Sequence, residues 1–188
     1  MIKNLSTLPW LRGSVALVGN AVSLRNRDYG PAIDAADCVI RINQGAFVPL
    51  QAHSTGERTD VIFITLNGGA ISKAWMYAKC RRIAGTVVGM SPKKRTVFGT
   101  DLGRVIPVYP PQWHQELHTR LGARPSTGAM AVDLLARTVD TVDNIDIYGF
   151  DFWGSPTTYT GIAQAAPHDP VAEENFVVTA VGSERVHR

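Results

Sequence analysis

The sequence predicts an α/β protein, a mainly parallel sheet flanked by helices, in a single domain over residues 1–188. Three observations carry this. Short apolar runs alternate along the chain with segments of helical spacing, the order that a parallel sheet covered on both faces requires. The runs are rich in β-branched residues and largely apolar, as strands buried on two faces are. The chain is also long enough for a real core. Hydrophobic residues make up 45% of its 188 positions, and a domain of this size buries roughly 70% of its unfolded surface.

Ser14 to Gly19 reads as a buried strand meeting a turn at Gly19-Asn20. Asp37 to Asn43 is the second strand and Asp60 to Thr65 the third. Gly69 to Cys80 has helical character, with Ser72 as a cap, and Ile83 to Gly89 follows as a fourth strand. Val105 to Tyr109 is a shorter fifth. Pro110 opens a helix that reaches Leu121, because proline suits a first helical turn. Ser126 to Val139 is the strongest helix: Met130, Leu134 and Leu135 keep its spacing, and Ser126 or Thr127 can cap it. Asn144 to Gly149 is a further strand. The stretch from Asp151 to Asp169 holds Gly154, Pro156, Gly161 and Pro167 and reads as a loop. Pro170 then opens a last helix to Val181.

Composition excludes several classes. The formal net charge is +3, a mildly basic balance that suits a solvated surface or attraction to an anion such as a nucleotide phosphate, an acidic glycan or a membrane face. Short basic runs stand at Lys79, Arg81 and Arg82 and at Lys93, Lys94 and Arg95, without interleaved aromatics, so nucleic acid is not expected. Cys38 and Cys80 have no metal-ligand spacing and read as buried free thiols in a reducing compartment. The N-terminal stretch has no long apolar run and reads as neither a signal peptide nor an anchor, so a cytoplasmic location is expected, with peripheral contact to an inner membrane face left open.

In open parallel sheets, ligands bind beyond the carboxyl ends of the strands. The strand end from Gly149 to Asp151 falls on that rim, and so do four polar constellations. The first is Gly19-Asn20 with Ser23: glycine lets a backbone come close and the Asn amide can donate to a phosphate, although plain strand-to-turn punctuation looks the same. The second is Asn43, which ends the next strand as a donor or as a turn former. The third is Ser126-Thr127-Gly128, a helix start whose free amides and dipole favour an anion, or simply an N-cap. The fourth is His168, after a long loop and five positions before Glu173. No GxGxxG fingerprint and no P-loop occur, which argues against a dinucleotide-dependent oxidoreductase.

Taken in order, these blocks resemble the sialyltransferases of glycosyltransferase family 29. Val15 to Gln44 resembles the long sialyl motif, with Val18-Gly19-Asn20, Leu24, Tyr29-Gly30, Ile33-Asp34 and Arg41-Ile42-Asn43-Gln44 in family order. Pro125 to Gly128 through Tyr148 to Phe150 resembles the short motif. His168 and Glu173 match the very short one.

The resemblance implies a Rossmann-like, modified nucleotide-binding fold and an inverting transfer of sialic acid from its CMP-activated donor, with no cofactor and no metal. It implies that Gly19, Asn20, Ser23, Asn43, Ser126, Thr127 and Gly128 hold the donor and that His168 is the general base. Glu173 is then a supporting residue that orients His168 or helps cap the last helix. Animal members join the two longer motifs by a disulfide; here the aligning positions are Val15 and Val139, an apolar pair that keeps the packing. Animal members also carry a second histidine ahead of the very short motif. Tyr159 or Thr158 would supply a hydroxyl donor in its place. The donor sugar reads as sialic acid or Kdo, and the acceptor as a glycan or glycolipid hydroxyl. The alternative is a non-catalytic module that binds a CMP-sugar or a glycan on the same fold.

Overall fold

The computed structural model describes residues 8–66, 69–90, 96–97, 100–101, 104, 106–158 and 167–188. In chain order the elements are β1 (Val15–Val18), α1 (Gly30–Ala35), β2 (Cys38–Ile42), β3 (Val61–Ile64), α2 (Ala70–Arg81), β4 (Thr86–Gly89), β5 (Thr96–Val97), β6 (Thr100–Asp101), α3 (Pro111–Leu121), α4 (Thr127–Thr138), β7 (Ile145–Tyr148), α5 (Pro170–Val181) and β8 (Val186–His187). The main sheet has six strands in the order β4-β3-β2-β1-β7-β8, with every pairing parallel. β5 and β6 form a separate antiparallel pair.

The strands are buried on both faces, and their period of two sorts the core into layers. Val15 and Leu17 of β1, Cys38 and Ile40 of β2 and Phe63 of β3 join the larger cluster, with Leu117 of α3, Leu134 and Leu135 of α4 and Phe176 and Val177 of α5. The intervening residues face the other way. Ala16, Val18 and Val39 pack with Ile33 of α1, and Ile62, Ile64 and Val87 pack with Cys80 of α2. Each fully buried side chain of this kind contributes about 1.5–3 kcal/mol. Val15 lies in the larger cluster and Val139 packs against it, so this apolar pair keeps its packing role. Both cysteines are buried and free, and burial pushes their thiols up, to about 12 for Cys38 and about 11 for Cys80.

Arg41 is the charged exception within β2. Its guanidinium donates to the carbonyls of Thr55 and Arg58 and to Thr59 Oγ1, tying the loop ahead of β3 to the sheet. Burial brings this guanidinium down to about 10.

Two expectations need correction. Val105–Tyr109 is not a strand: Val105 lies outside the described residues, and Val108 makes only an isolated parallel bridge to Gly89. Pro107 and Pro110 cannot donate to a ladder, which limits pairing there. Ser72 does not cap α2; Gly69 is the N-cap and Ser72 sits inside the first turn. The β8 strand was not foreseen. It adds Val186 and His187 to the edge of β7, where the His187 ring stacks on Tyr148 with centroids 4.6 Å apart and its Nε2 lies 2.9 Å from Asp146 Oδ1.

Candidate active site

The carboxyl ends of β1, β2 and β7 open onto a cavity of about 420 Å³. Gly19 and Asn20 line it from the end of β1, and Ile42 and Asn43 from the end of β2. Ser126, Thr127 and Gly128 line it from the start of α4, Gly149 to Trp153 from beyond β7, and His168 and Glu173 from the loop and first turn of α5. Five separated blocks of sequence therefore converge, because a parallel sheet gathers all its carboxyl ends on one edge.

The start of α4 is held from two sides. Ser126 caps the helix by accepting from the Ala129 amide at 3.0 Å. Ser126 itself donates to Glu173, from its amide to Oε1 at 2.7 Å and from its hydroxyl to Oε2 at 2.5 Å. On the other side, Thr127 Oγ1 and Thr65 Oγ1 lie 2.9 Å apart. The Thr65 amide donates to Asn43 Oδ1 at 2.9 Å, so Asn43, Thr65 and Thr127 link β2, β3 and α4 through side chains. Asn43 has a left-handed backbone, φ 50°, which asparagine tolerates better than most residues. With its oxygen engaged, the NH₂ of Asn43 is the group left for a ligand.

Phe150 lies against two glycines. A Cβ on Gly19 would come within 2.7 Å of the Phe150 ring and one on Gly128 within 2.8 Å. Close approach of β1, α4 and the segment after β7 therefore requires glycine at both places. A Cβ on Gly45 would fall 1.7 Å from Asn20 Oδ1, an atom that is buried and has no hydrogen-bond partner among the described residues.

His168 is fixed by two contacts. Its Nδ1 lies 2.7 Å from the Arg124 carbonyl oxygen, and its ring stacks on Trp153 with centroids 5.3 Å apart and planes at 16°. A carbonyl can only accept, so Nδ1 carries the hydrogen and Nε2 of the neutral ring keeps its lone pair. Trp153 and its neighbour Phe152 both adopt positive φ, 65° and 51°, a strained backbone that here shapes the wall of the cavity.

Glu173 does not orient His168. The carboxylate stands 3.9 Å from Nδ1, beyond hydrogen-bond range, and it is Asp169 that caps α5, by accepting from the amides of Val171 and Ala172. Glu173 instead secures the start of α4. Burial raises its carboxyl to about 7 against the opposing pull of the Ser126 hydrogen bonds.

Of the predicted residues, Gly19, Asn20, Asn43, Ser126, Thr127, Gly128, His168 and Glu173 line the cavity together. Ser23 does not. Its hydroxyl donates to Asp151 Oδ2 at 3.3 Å and its amide to Ser155 Oγ at 3.4 Å, which pins the loop after β7 onto the turn after β1. Ala21 bridges Thr157, and the Thr158 amide donates to the Asn20 carbonyl, in the same union. The Thr158 hydroxyl is buried and has no hydrogen-bond partner among the described residues. Tyr159 lies outside the described residues, as do Lys93, Lys94 and Arg95. Gly149 to Asp151, which the sequence places on the rim, line the cavity, whereas sequence reasoning missed Phe152 and Trp153 as cavity walls. The signal available was their position directly after that segment. Among the described residues no group of three or more His, Cys, Asp or Glu side chains gathers as a metal site.

Comparison with known proteins finds sialyltransferases. Residues 12–96 match the family model of glycosyltransferase family 29 (sialyltransferase). This match covers less than half of the chain. A mouse relative, CMP-N-acetylneuraminate-beta-galactosamide-alpha-2,3-sialyltransferase 1, is 21% identical over 200 residues, which covers 91% of this chain and 57% of the relative. The chain thus spans 57% of the length of that curated relative. Among solved structures, a mammalian sialyltransferase in complex with Gal-beta-1-3GalNAc-ortho-nitrophenol aligns with a TM-score of 0.54 at 19% identity, over 92% of this chain and 67% of that one. The sialyltransferase CstII from Campylobacter jejuni, in complex with CMP-3FNeuAc, aligns with a TM-score of 0.59 at 11% identity, over 90% of this chain and 79% of that one. These likenesses show that the chain has the Rossmann-like fold of the solved sialyltransferases.

Proposed function

We propose that the chain is an inverting glycosyltransferase that moves sialic acid, or the related 2-keto sugar acid Kdo, from its CMP-activated donor to a glycan or glycolipid hydroxyl. The observation that carries this reading is the position of His168 in the rim cavity, with Nδ1 committed to the Arg124 carbonyl. The remaining nitrogen, Nε2, is then the general base that takes the proton from the attacking acceptor hydroxyl. The bond from that oxygen to the anomeric carbon forms as the bond to the CMP phosphate breaks, and CMP leaves as a monoester.

The donor carries two anionic groups, the phosphate and the sugar carboxylate. The amides of Thr127 and Gly128 and the dipole of α4 suit one of them. The side-chain amides of Asn20 and Asn43 suit the nucleotide. Donors fixed in advance stabilise the charge that develops on the leaving phosphate. In this reading the CMP-sugar is a substrate, and the reaction uses neither a cofactor nor a metal. The relatives named as sialyltransferases, and the one solved with CMP-3FNeuAc, support the class of donor.

The test is a thermal-shift panel with CMP, CMP-sialic acid, CMP-Kdo, UDP and NAD, followed by transfer assays on the donor that binds. A ligand at about 100 times its dissociation constant adds about 2.7 kcal/mol of stability. CMP compounds should stabilise the protein and UDP and NAD should not. His168→Ala should abolish transfer and keep CMP binding. Full transfer by that variant would remove His168 from the mechanism. CMP binding without transfer or donor hydrolysis would identify a binding module instead.

A further inference from the structure

The outer face of α2 is the most exposed apolar surface among the described residues. Ile71 and Trp75 are 77% and 62% exposed. Four residues apart, they stand one above the other on the helix. The stripe continues through Ala78 and Arg82, both exposed, and Ile83 beside its end is also exposed. Lys79 borders it, its ammonium 4.1 Å above the Phe47 ring and 5.6 Å from the Trp75 ring centroid. Arg81 and Arg82 follow, and no Asp or Glu occurs anywhere in the helix.

The chemistry of the missing partner follows from this face. A protein partner could bury Ile71 and Trp75, but a helix with cations and no carboxylate selects an anionic surface. An apolar stripe with an aromatic ring, flanked by Lys and Arg, is the pattern of a helix that lies in the headgroup layer of a bilayer. No helix among the described residues is long and apolar enough to cross a membrane, so such contact would be peripheral. Position adds to the case. α2 begins after the carboxyl end of β3, on the rim where the cavity opens. Phe47, under Lys79, ends the short 3-10 turn Asn43–Phe47, whose first residue lines the cavity.

We infer that α2 docks the protein on an anionic bilayer, with Ile71 and Trp75 entering the headgroup layer and Lys79 and Arg82 meeting the lipid anions. Docking there sets the cavity beside the lipid surface, within reach of a lipid-linked acceptor. The inference rests on the transfer reading only for that last consequence. Lipid binding needs no transfer chemistry, so the two fail separately.

The test is co-sedimentation of the full chain with vesicles of phosphatidylcholine alone or mixed with phosphatidylglycerol, with light scattering in parallel. Binding should appear on the mixed vesicles at low salt, vanish on neutral ones and weaken as salt rises. Ile71→Ser with Trp75→Ser should lose it. Lys79→Ser with Arg82→Ser should lower the partition by about fivefold per cation removed. Both double variants should keep the far-UV circular dichroism spectrum and the cooperative thermal unfolding of the parent, which certifies that they fold. Three results would overturn the inference: no sedimentation with anionic vesicles at low salt, undiminished binding by the Ile71→Ser, Trp75→Ser variant, or a dimer in solution that this variant dissolves. The dimer would assign the face to a second copy of the chain.

Discussion

Glu173 accepts both hydrogen bonds that Ser126 can donate, one from its amide at 2.7 Å and one from its hydroxyl at 2.5 Å. The carboxylate sits in the first turn of α5 and the serine at the N-cap of α4, forty-seven positions apart. This single side chain therefore sets how the helix that offers its N-terminus to the cavity stands against the helix that carries His168 at its approach.

Removing that carboxylate should cost both stability and ligand affinity. Glu173→Ala leaves the Ser126 donors without their acceptor, a loss of about 1–3 kcal/mol. CMP affinity should fall with it, since the amides of Thr127 and Gly128 are displaced. Denaturant titration and CMP calorimetry on the same variant read the two effects.

The same group predicts a pH dependence of unusual sign. Burial raises the Glu173 carboxyl from its ordinary 4.5 to about 7. The folded state then holds more protons than the unfolded state between those values, so the contribution of this group to stability declines as pH rises from 4.5 to about 7 and levels off above. Glu173→Gln removes the decline. Unfolding midpoints of the parent and the variant across this window should differ in slope, and parallel curves would contradict the assignment.

Trp153 should act on the reaction through His168. The stacked pair is worth about 0.5–1.5 kcal/mol beyond simple burial. Trp153→Ala should therefore slow transfer by roughly threefold to tenfold with little change in the affinity for CMP, and Trp153→Phe should recover most of the rate. A rise in KM for the donor with unchanged kcat would show that Trp153 holds the donor instead.

The glycines at the rim predict a graded series. Gly128→Ala and Gly19→Ala each force a Cβ toward the Phe150 ring, and overpacking of this kind costs about 1–3 kcal/mol. Phe150→Leu, with a smaller side chain, should recover part of the loss at Gly128. Gly45→Ala instead displaces Asn20, so its effect should appear mainly in CMP affinity. Thermal unfolding with and without CMP distinguishes these outcomes.

A remote control separates stability from function. Tyr109 donates to the buried carboxylate of Asp133 at 2.5 Å, inside the larger core cluster and away from the cavity lining. Asp133 also pairs with Arg137, which lies over the Trp113 ring. Tyr109→Phe should destabilise the protein by about 1–3 kcal/mol and leave CMP affinity unchanged at temperatures where the fold persists.

The long elements were legible in the sequence because their signals are local. α5 runs from Pro170 to Val181 as its opening proline and apolar content predict, and α4 begins at the Ser126 cap. The four parallel strands from β1 to β4 follow from their apolar runs. β8 was not legible: two residues have no period, and only the neighbouring β7 edge makes them a strand. The reverse happened at Val108, whose β-branched setting predicts a strand but which makes a single bridge to Gly89.

By itself the sequence determined the parallel α/β order, the strand-end rim, and the ordered set of Gly19, Asn20, Asn43, Ser126, Thr127, Gly128, His168 and Glu173 that falls on it. Only the tertiary structure decided which partners they meet. It assigned Ser23 to pinning a loop, Glu173 to Ser126 instead of His168, and the His168 tautomer to the Arg124 carbonyl. It also brought in Phe152 and Trp153 as walls. The physical reason is that periodicity and capping act within a few residues of one another, whereas hydrogen-bond partners and ring contacts span separations of 44 and 47 positions that exist only once the sheet has gathered its strand ends.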